Sequence, residues 1–235
     1  GPIFWKGWRA HVKRLNPDAV IIAEIWDDPG AQPYLRGEHF DTQMHYPFAT
    51  GVTEWLAVRP GMTAADLALV LDDAFDDAPQ TNLVHQNLFS SHDTDRYVSK
   101  LLNPGREYDA GNRIQDGDDY NDVLPPDEIY QLSLVGMAIQ ATYLGAPMIY
   151  YGAEYGMWGA DDPTDRKPLP WADTGSNLNP TDNAVDGIRE HYVRWFNLRK
   201  HPKLGPILRY GDLRHLDAGD PGVFAFERSL NGDRV

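Results

Sequence analysis

The sequence predicts an α/β fold with a parallel sheet, followed by the opening of a small antiparallel β-domain. Three features carry that expectation. Apolar, β-prone runs alternate with amphipathic helical segments along most of the chain. Two of the runs end in ionisable side chains: residues 20–26 hold Glu24 inside a β-branched stretch, and residues 83–89 lead into His92, Asp93, Asp95 and Arg96. Parallel barrels build their active sites where strands end this way, at their C-terminal ends. From Ile207 onward the pattern changes to short alternating strands separated by turns.

Each element has its own justification. Residues 3–15 place Phe4, Trp8, Val12 and Leu15 at helical spacing, and Asn16, Pro17 and Asp18 end the helix. Residues 20–26 are apolar on both faces apart from Glu24, the mark of a buried parallel strand. A polar loop opening at Asp27, Asp28, Pro29 and Gly30 and holding Tyr34 and Arg36 leads to a second expected strand, 41–48. A helix over 62–75 follows, with Thr63 as its cap and Leu67, Val70, Leu71 and Ala74 on one face. The third strand, 83–89, precedes a polar loop over 102–126, a length that points to function or mobility. Pro125 and Pro126 open a helix over 127–143, carried by Leu132, Val135, Ile139 and Tyr143. The fourth strand spans 145–152, and an amphipathic helix covers 188–200. Short strands are then expected at 208–210, 213–216 and 223–227, with a turn at Asn231 and Gly232.

Composition narrows the function classes. Across 235 residues, 35 acidic side chains against 21 basic ones give a net charge of -14, which disfavours nucleic acid or any other polyanion as a partner. Without cysteine, disulfides, thiolate metal sites and a cysteine nucleophile are excluded, and the compartment stays undetermined. The apolar stretches are too short for a membrane span.

Three motifs taken in order, AEIW (23–26), FSSHDTDR (89–96) and GAPMIYYGAEYGMWGADDPTDR (145–166), resemble the α-amylase superfamily of retaining α-glycosidases, most of all its neopullulanase, cyclomaltodextrinase and maltogenic amylase branch. The resemblance implies a (β/α)8 TIM barrel followed by a β-sandwich, of which this chain would hold the C-terminal half of the barrel, 1–204, and the start of the β-domain, 205–235. It implies that Glu24 is the general acid/base and that Asp93 stabilises the transition state. His92 would bind the same sugar, Asp162 and Arg166 the next one, and Trp26 would lie near the leaving group. The family's nucleophilic Asp sits in an Arg-x-Asp motif on the preceding strand, and no such motif occurs here. The chain alone is therefore expected to be inactive, the intact parent being the α-glucan hydrolase or transferase.

The residue chemistry agrees with that implication. Retaining glycoside hydrolysis uses two carboxyl groups about 5–5.5 Å apart, one protonated and one ionised. Glu24, flanked by Ala23, Ile25 and Trp26, is expected to be desolvated, which would raise its pKa toward the range of an acid catalyst; its structural alternative is a Glu salt-bridged inside the barrel. For His92 and Asp93 the alternative is a strand-end cap and a core histidine. Arg96, next to Asp95 and near Asp93, is expected to hold the site through an ion-pair network. Trp26, Tyr34, Tyr46, Tyr151, Tyr155 and Trp158 crowd the strand-end loops; Trp26 and Tyr151 are taken as sugar platforms and the rest as packing. No cofactor is expected. The oxygen-rich run Asp116, Asp118, Asp119, Asn121 and Asp122 could suit Ca2+, but its spacing is not that of an EF-hand and a solvated loop is the better reading. The expected partner is an oligo- or polysaccharide. A competing expectation is a non-catalytic, self-associating half-barrel, since two exposed strand edges and an apolar interior invite pairing.

Overall fold

The computed structural model describes residues 1–26, 32–35, 37–76, 84–169 and 185–235. The loop start at Asp27 to Gly30, Arg36 and Leu83 lie outside the described residues. Helix α1 (Pro2–Leu15) leads to strand β1 (Ile22–Ala23); β2 (Thr42–His45) runs directly into α2 (Tyr46–Thr53), and α3 (Ala64–Asp76) follows. Then come β3 (Gln86–Asn87), α4 (Tyr97–Leu102), α5 (Asp127–Thr142), β4 (Ala146–Pro147), α6 (Ile188–Leu198) and α7 (Leu204–Tyr210). Strands β5 (Asp212–Leu216), β6 (Ala225–Leu230) and β7 (Asp233–Arg234) close the chain.

The four parallel strands pair in sequence order, β1-β2-β3-β4, with Ile22 opposite Thr42, Met44 opposite Gln86 and Gln86 opposite Ala146. Parallel neighbours joined by helical crossovers are what the alternating pattern requires. Each of these four parallel strands lies within its expected run, but the paired segments are shorter. Residues 41–48 end as a strand at His45 because Pro47, in the first turn of α2, suits a helix start. Residues 20–26 are buried on one face only: Ile21 and Ala23 are buried, whereas Val20 and Ile22 are 65% and 45% exposed. Among the described residues β1 pairs with β2 alone, so no described strand covers its other edge.

Helix α1 turns a different stripe inward from the one expected. Trp5 and Val12 pack against Ile21, Ala23, Leu35 and Phe40, while Phe4, Trp8 and Leu15 stay exposed. Asp41 sets that rotation. Its carboxylate pairs with Arg9 at 2.7 Å and Lys13 at 2.9 Å and accepts the Ile21 N–H at 2.8 Å, tying α1 to β1 and β2.

The main core lies among α2, α3, α4 and α5, where Phe48, Val52, Leu67, Leu71, Phe75, Phe89, Tyr97, Leu101, Ile139 and Tyr143 are buried together. Thr63 and Asp66 form the reciprocal cap that starts α3, through Asp66 N to Thr63 Oγ1 (3.1 Å) and Thr63 N to Asp66 Oδ2 (2.8 Å). On α5, Val135 is exposed rather than inward. Gly136 faces Tyr97 instead: a Cβ there would lie 2.1 Å from the Tyr97 hydroxyl, so only glycine admits that ring. The expected 208–210 strand is the last turn of α7, whose Ile207 and Leu208 are buried and whose start is held by His201 Nδ1, which accepts the Lys203 and Leu204 N–H groups.

Strands β5, β6 and β7 form an antiparallel sheet, turned at Asn231 and Gly232, both with positive φ. Buried Arg228 fastens it to the rest, donating to the Thr142, Leu208 and Gly211 carbonyls at 2.7–3.0 Å. Among the described residues no helix is long and apolar enough to cross a membrane.

His45, the last residue of β2, stacks on His85, which precedes β3, at 4.5 Å, both fully buried. Burial pushes His45 down to about 4 and His85 down to about 2, from 6.5. Both are neutral in the fold and take up protons on unfolding, so their contribution is present above pH 6.5 and is lost as pH falls toward 4 and 2. Each should remove about 1.4 kcal/mol per pH unit across that window. Urea midpoints between pH 7 and 4.5 should therefore fall more gently in His85→Asn than in the wild type; parallel pH profiles would contradict this.

Candidate active site

The side chains that follow the strands collect on one rim. Glu24 comes immediately after β1, Tyr46 immediately after β2, His92 and Asp93 follow β3, and Tyr151, Asp162 and Arg166 follow β4. Carboxylate oxygens of Glu24 and Asp93 and a ring nitrogen of His92 all lie within 4.8 Å of one another. His92 Nε2 stands 3.3 Å from Asp93 Oδ2. The turn bearing them is built from its own hydroxyls: Asp93 N donates to Ser91 Oγ (3.2 Å) and Ser91 N to Thr94 Oγ1 (3.0 Å).

Arg166 joins the second loop to this cluster. Its Nη2 reaches Asp93 Oδ1 at 3.1 Å, while its Nε donates to the His92 carbonyl at 2.8 Å and lies 3.2 Å from Asp162 Oδ1. Through Arg166 the expected pair Asp162 and Arg166 is thus tied to Asp93. Trp26 stacks on Tyr46 at 4.2 Å and remains 40% exposed. Tyr151 is at the surface, its hydroxyl donating to the Lys167 carbonyl at 2.9 Å.

Two expectations need correction. Glu24 is exposed rather than desolvated, because the Trp26 ring lies over Tyr46 and β1 is open on the Ile22 side. Arg96 does not pair with Asp93 or Asp95. It is buried under the 150–166 loop, with Nε donating to the Asp165 carbonyl (2.7 Å), Nη1 donating to the Tyr151 carbonyl, and its guanidinium 4.5 and 4.7 Å from the Tyr150 and Tyr151 ring centres. Arg96 therefore holds the loop that presents Tyr151, Asp162 and Arg166. Asp95 is buried elsewhere, bonded by Lys100, the Tyr120 hydroxyl and Asn112.

Tyr46, assigned to packing from the sequence, contributes to the rim: its hydroxyl lies 3.5 Å from Glu24 Oε1. Burial, and next to it the Glu24 and Asp93 charges, holds that hydroxyl well above the ordinary tyrosine range, opposed by a hydrogen bond with Ser91. Its position right after a strand was the available signal. Asp165 was not singled out either; burial pushes it up to about 6 against the pull of Arg166 and Arg96.

The acidic run in the 102–126 loop does not converge. Asp116 pairs with Arg113 (2.9 Å), Asp118 accepts the Arg113 N–H (2.9 Å), and Asp122 accepts the Ala160 N–H (2.9 Å). A groove of about 700 Å³ between α3 and the turn joining β5 to β6 holds none of the rim residues.

A family model described as the α-amylase catalytic domain matches residues 2–187. The chain belongs to the α-amylase family. It is 29% identical to a cyclomaltodextrinase of Thermoanaerobacter pseudethanolicus over 99% of its own length and 34% of that protein, and 32% identical to neopullulanase 2 of Thermoactinomyces vulgaris over 99% and 33%. The solved structure of a cyclic α-maltosyl-(1→6)-maltose hydrolase from Arthrobacter globiformis superposes with a TM-score of 0.77 at 25% identity, covering all of this chain and 44% of that one. The chain thus spans about a third of the length of the curated relatives it matches.

Replacing the Arg96 fork tests its role as the anchor of the loop. Arg96→Met should leave the Tyr151 and Asp165 carbonyls without their donor and cost about 3 kcal/mol. Hydrogen exchange should then quicken in 150–166 while α3 keeps its protection; uniform protection in both segments would contradict the assignment.

Proposed function

We propose that the protein carrying this chain is a retaining α-glycosidase acting on α-glucans such as maltodextrins, with Glu24 as general acid/base and Asp93 as the anion that stabilises the oxocarbenium-like transition state. The observation that supports this most directly is the meeting of Glu24, His92 and Asp93 within 4.8 Å at the ends of β1 and β3, the two parallel strands that flank β2. The relatives' names, cyclomaltodextrinase and neopullulanase, favour the same substrate class. His92 and Asp93 face the sugar at the cleavage point, and Asp162 and Arg166 bind the adjoining ring through charge-assisted hydrogen bonds. Trp26, carried on Tyr46, offers an aromatic face to a sugar on the leaving side, and Tyr151 offers a second.

In this proposal residues 1–204 correspond to the C-terminal half of a (β/α)8 barrel and 205–235 to the start of its β-domain. The parallel order β1-β2-β3-β4 and the switch to antiparallel pairing at β5 support that division. Double displacement then takes its nucleophile from a carboxylate outside these 235 residues, since the Arg-x-Asp motif that bears it in the family does not occur among them. The exposed Ile3, Phe4, Val20 and Ile22 favour apolar packing of further polypeptide on the open side of α1 and β1.

Glu24→Gln in the natural protein that carries this chain should lower kcat/KM on a 4-nitrophenyl α-maltoside by about 10³-fold. An activated phenol leaving group that needs little protonation should regain part of the loss. Rates close to wild type would remove Glu24 from the acid/base role.

A further inference from the structure

The rim cluster is also a donor set for a metal ion. One imidazole nitrogen and two carboxylate oxygens converge from two strand ends, and that mixture suits first-row transition metals rather than the all-oxygen preference of calcium. The spacing agrees. Zinc bonds of about 2.0–2.1 Å at tetrahedral angles put two ligand atoms about 3.3 Å apart. His92 Nε2 and Asp93 Oδ2 stand 3.3 Å apart, with Asp93 Oδ1 engaged separately by Arg166 at 3.1 Å. One edge of the coordination polyhedron is therefore already set, and Arg166 fixes the carboxylate without occupying the oxygen that faces the imidazole. Glu24, within 4.8 Å and exposed, closes the third position by a side-chain movement of at most roughly 1.5 Å. Water would take the remaining position.

We propose that Glu24, His92 and Asp93 form a binding site for a divalent transition-metal ion such as Zn2+, Co2+ or Cu2+ at the mouth of the sugar cleft. Binding itself follows from the three donors alone. Its consequence rests on the function proposed above: the ion takes up the two carboxylates assigned to the sugar, so metal and maltooligosaccharide exclude each other and the ion acts as a competitive inhibitor. Calcium, which seldom accepts imidazole, does not compete for the site.

Titration of the chain with CoCl2, followed by visible absorption, and with ZnCl2, followed by calorimetry, tests the site without any assay of catalysis. One ion should bind per chain, and Zn2+ should displace Co2+. His92→Asn should weaken binding at least about tenfold and Glu24→Gln should weaken it as well. His11→Asn and His191→Asn, at exposed histidines away from the rim, should bind as the wild type does. Circular dichroism checks that each variant is folded. No saturable binding, or equal affinity in His92→Asn, would overturn the proposal. A maltotriose titration with and without Zn2+ separates the two claims. Metal binding without sugar binding leaves the site standing and counts against the glycosidase reading, whereas simultaneous binding of both overturns the exclusion.

Discussion

The parallel pairing of β1 through β4 is the constraint on which the rest depends. Because all four strands run the same way and pair in sequence order, the residues leaving them must gather on one rim. A register fixed by Ile22 against Thr42 and Met44 against Gln86 brings Glu24, Tyr46 and the His92-Asp93 turn together although they lie far apart in the chain. Had one strand been reversed, its carboxylate would have been delivered to the opposite face. The chemistry at the rim follows from direction first and from side-chain identity second.

Two buried arginines carry the remaining burden of position. Arg96 satisfies carbonyls of the loop after β4, and Arg228 satisfies carbonyls at the end of α5, in α7 and before β5. In both, the guanidinium serves as a rigid multi-donor fork for backbone oxygens rather than as half of an ion pair. Burial lowers the pKa of both, Arg228 to about 10, yet each keeps its charge near neutrality. Stability and site geometry are thus coupled: the fork that holds the 150–166 loop also places Arg166 against Asp93.

Much of this was legible in the sequence, for identifiable reasons. Period and punctuation located every parallel strand, because apolar runs bounded by Asn16-Pro17 or Ser90-Ser91 leave little alternative. The Thr63 cap was readable since its partner Asp66 stands three residues on. The rotation of α1 was not, because it is set by Asp41, an acidic residue distant in sequence whose two cationic partners look like an ordinary solvated face. The partners of Arg96 were not legible for a related reason. Its sequence neighbours are aspartates, but the turn carries its side chain away from them and under Tyr150 and Tyr151. The exposure of Glu24 could not be read from its apolar flanks either, since it depends on how Trp26 stacks and on how open β1 is. Local pattern determined which residues end the strands; long-range polar contacts determined what they touch.

The central claim is that this rim is a sugar site. A crystal structure of the chain soaked with maltotriose tests it most directly. A glucose ring whose hydroxyls bond to His92, Asp93 and Arg166, beside the Trp26 ring, is the predicted result. Maltotriose seated instead in the groove between α3 and the turn joining β5 to β6, with the rim left to solvent, would contradict it.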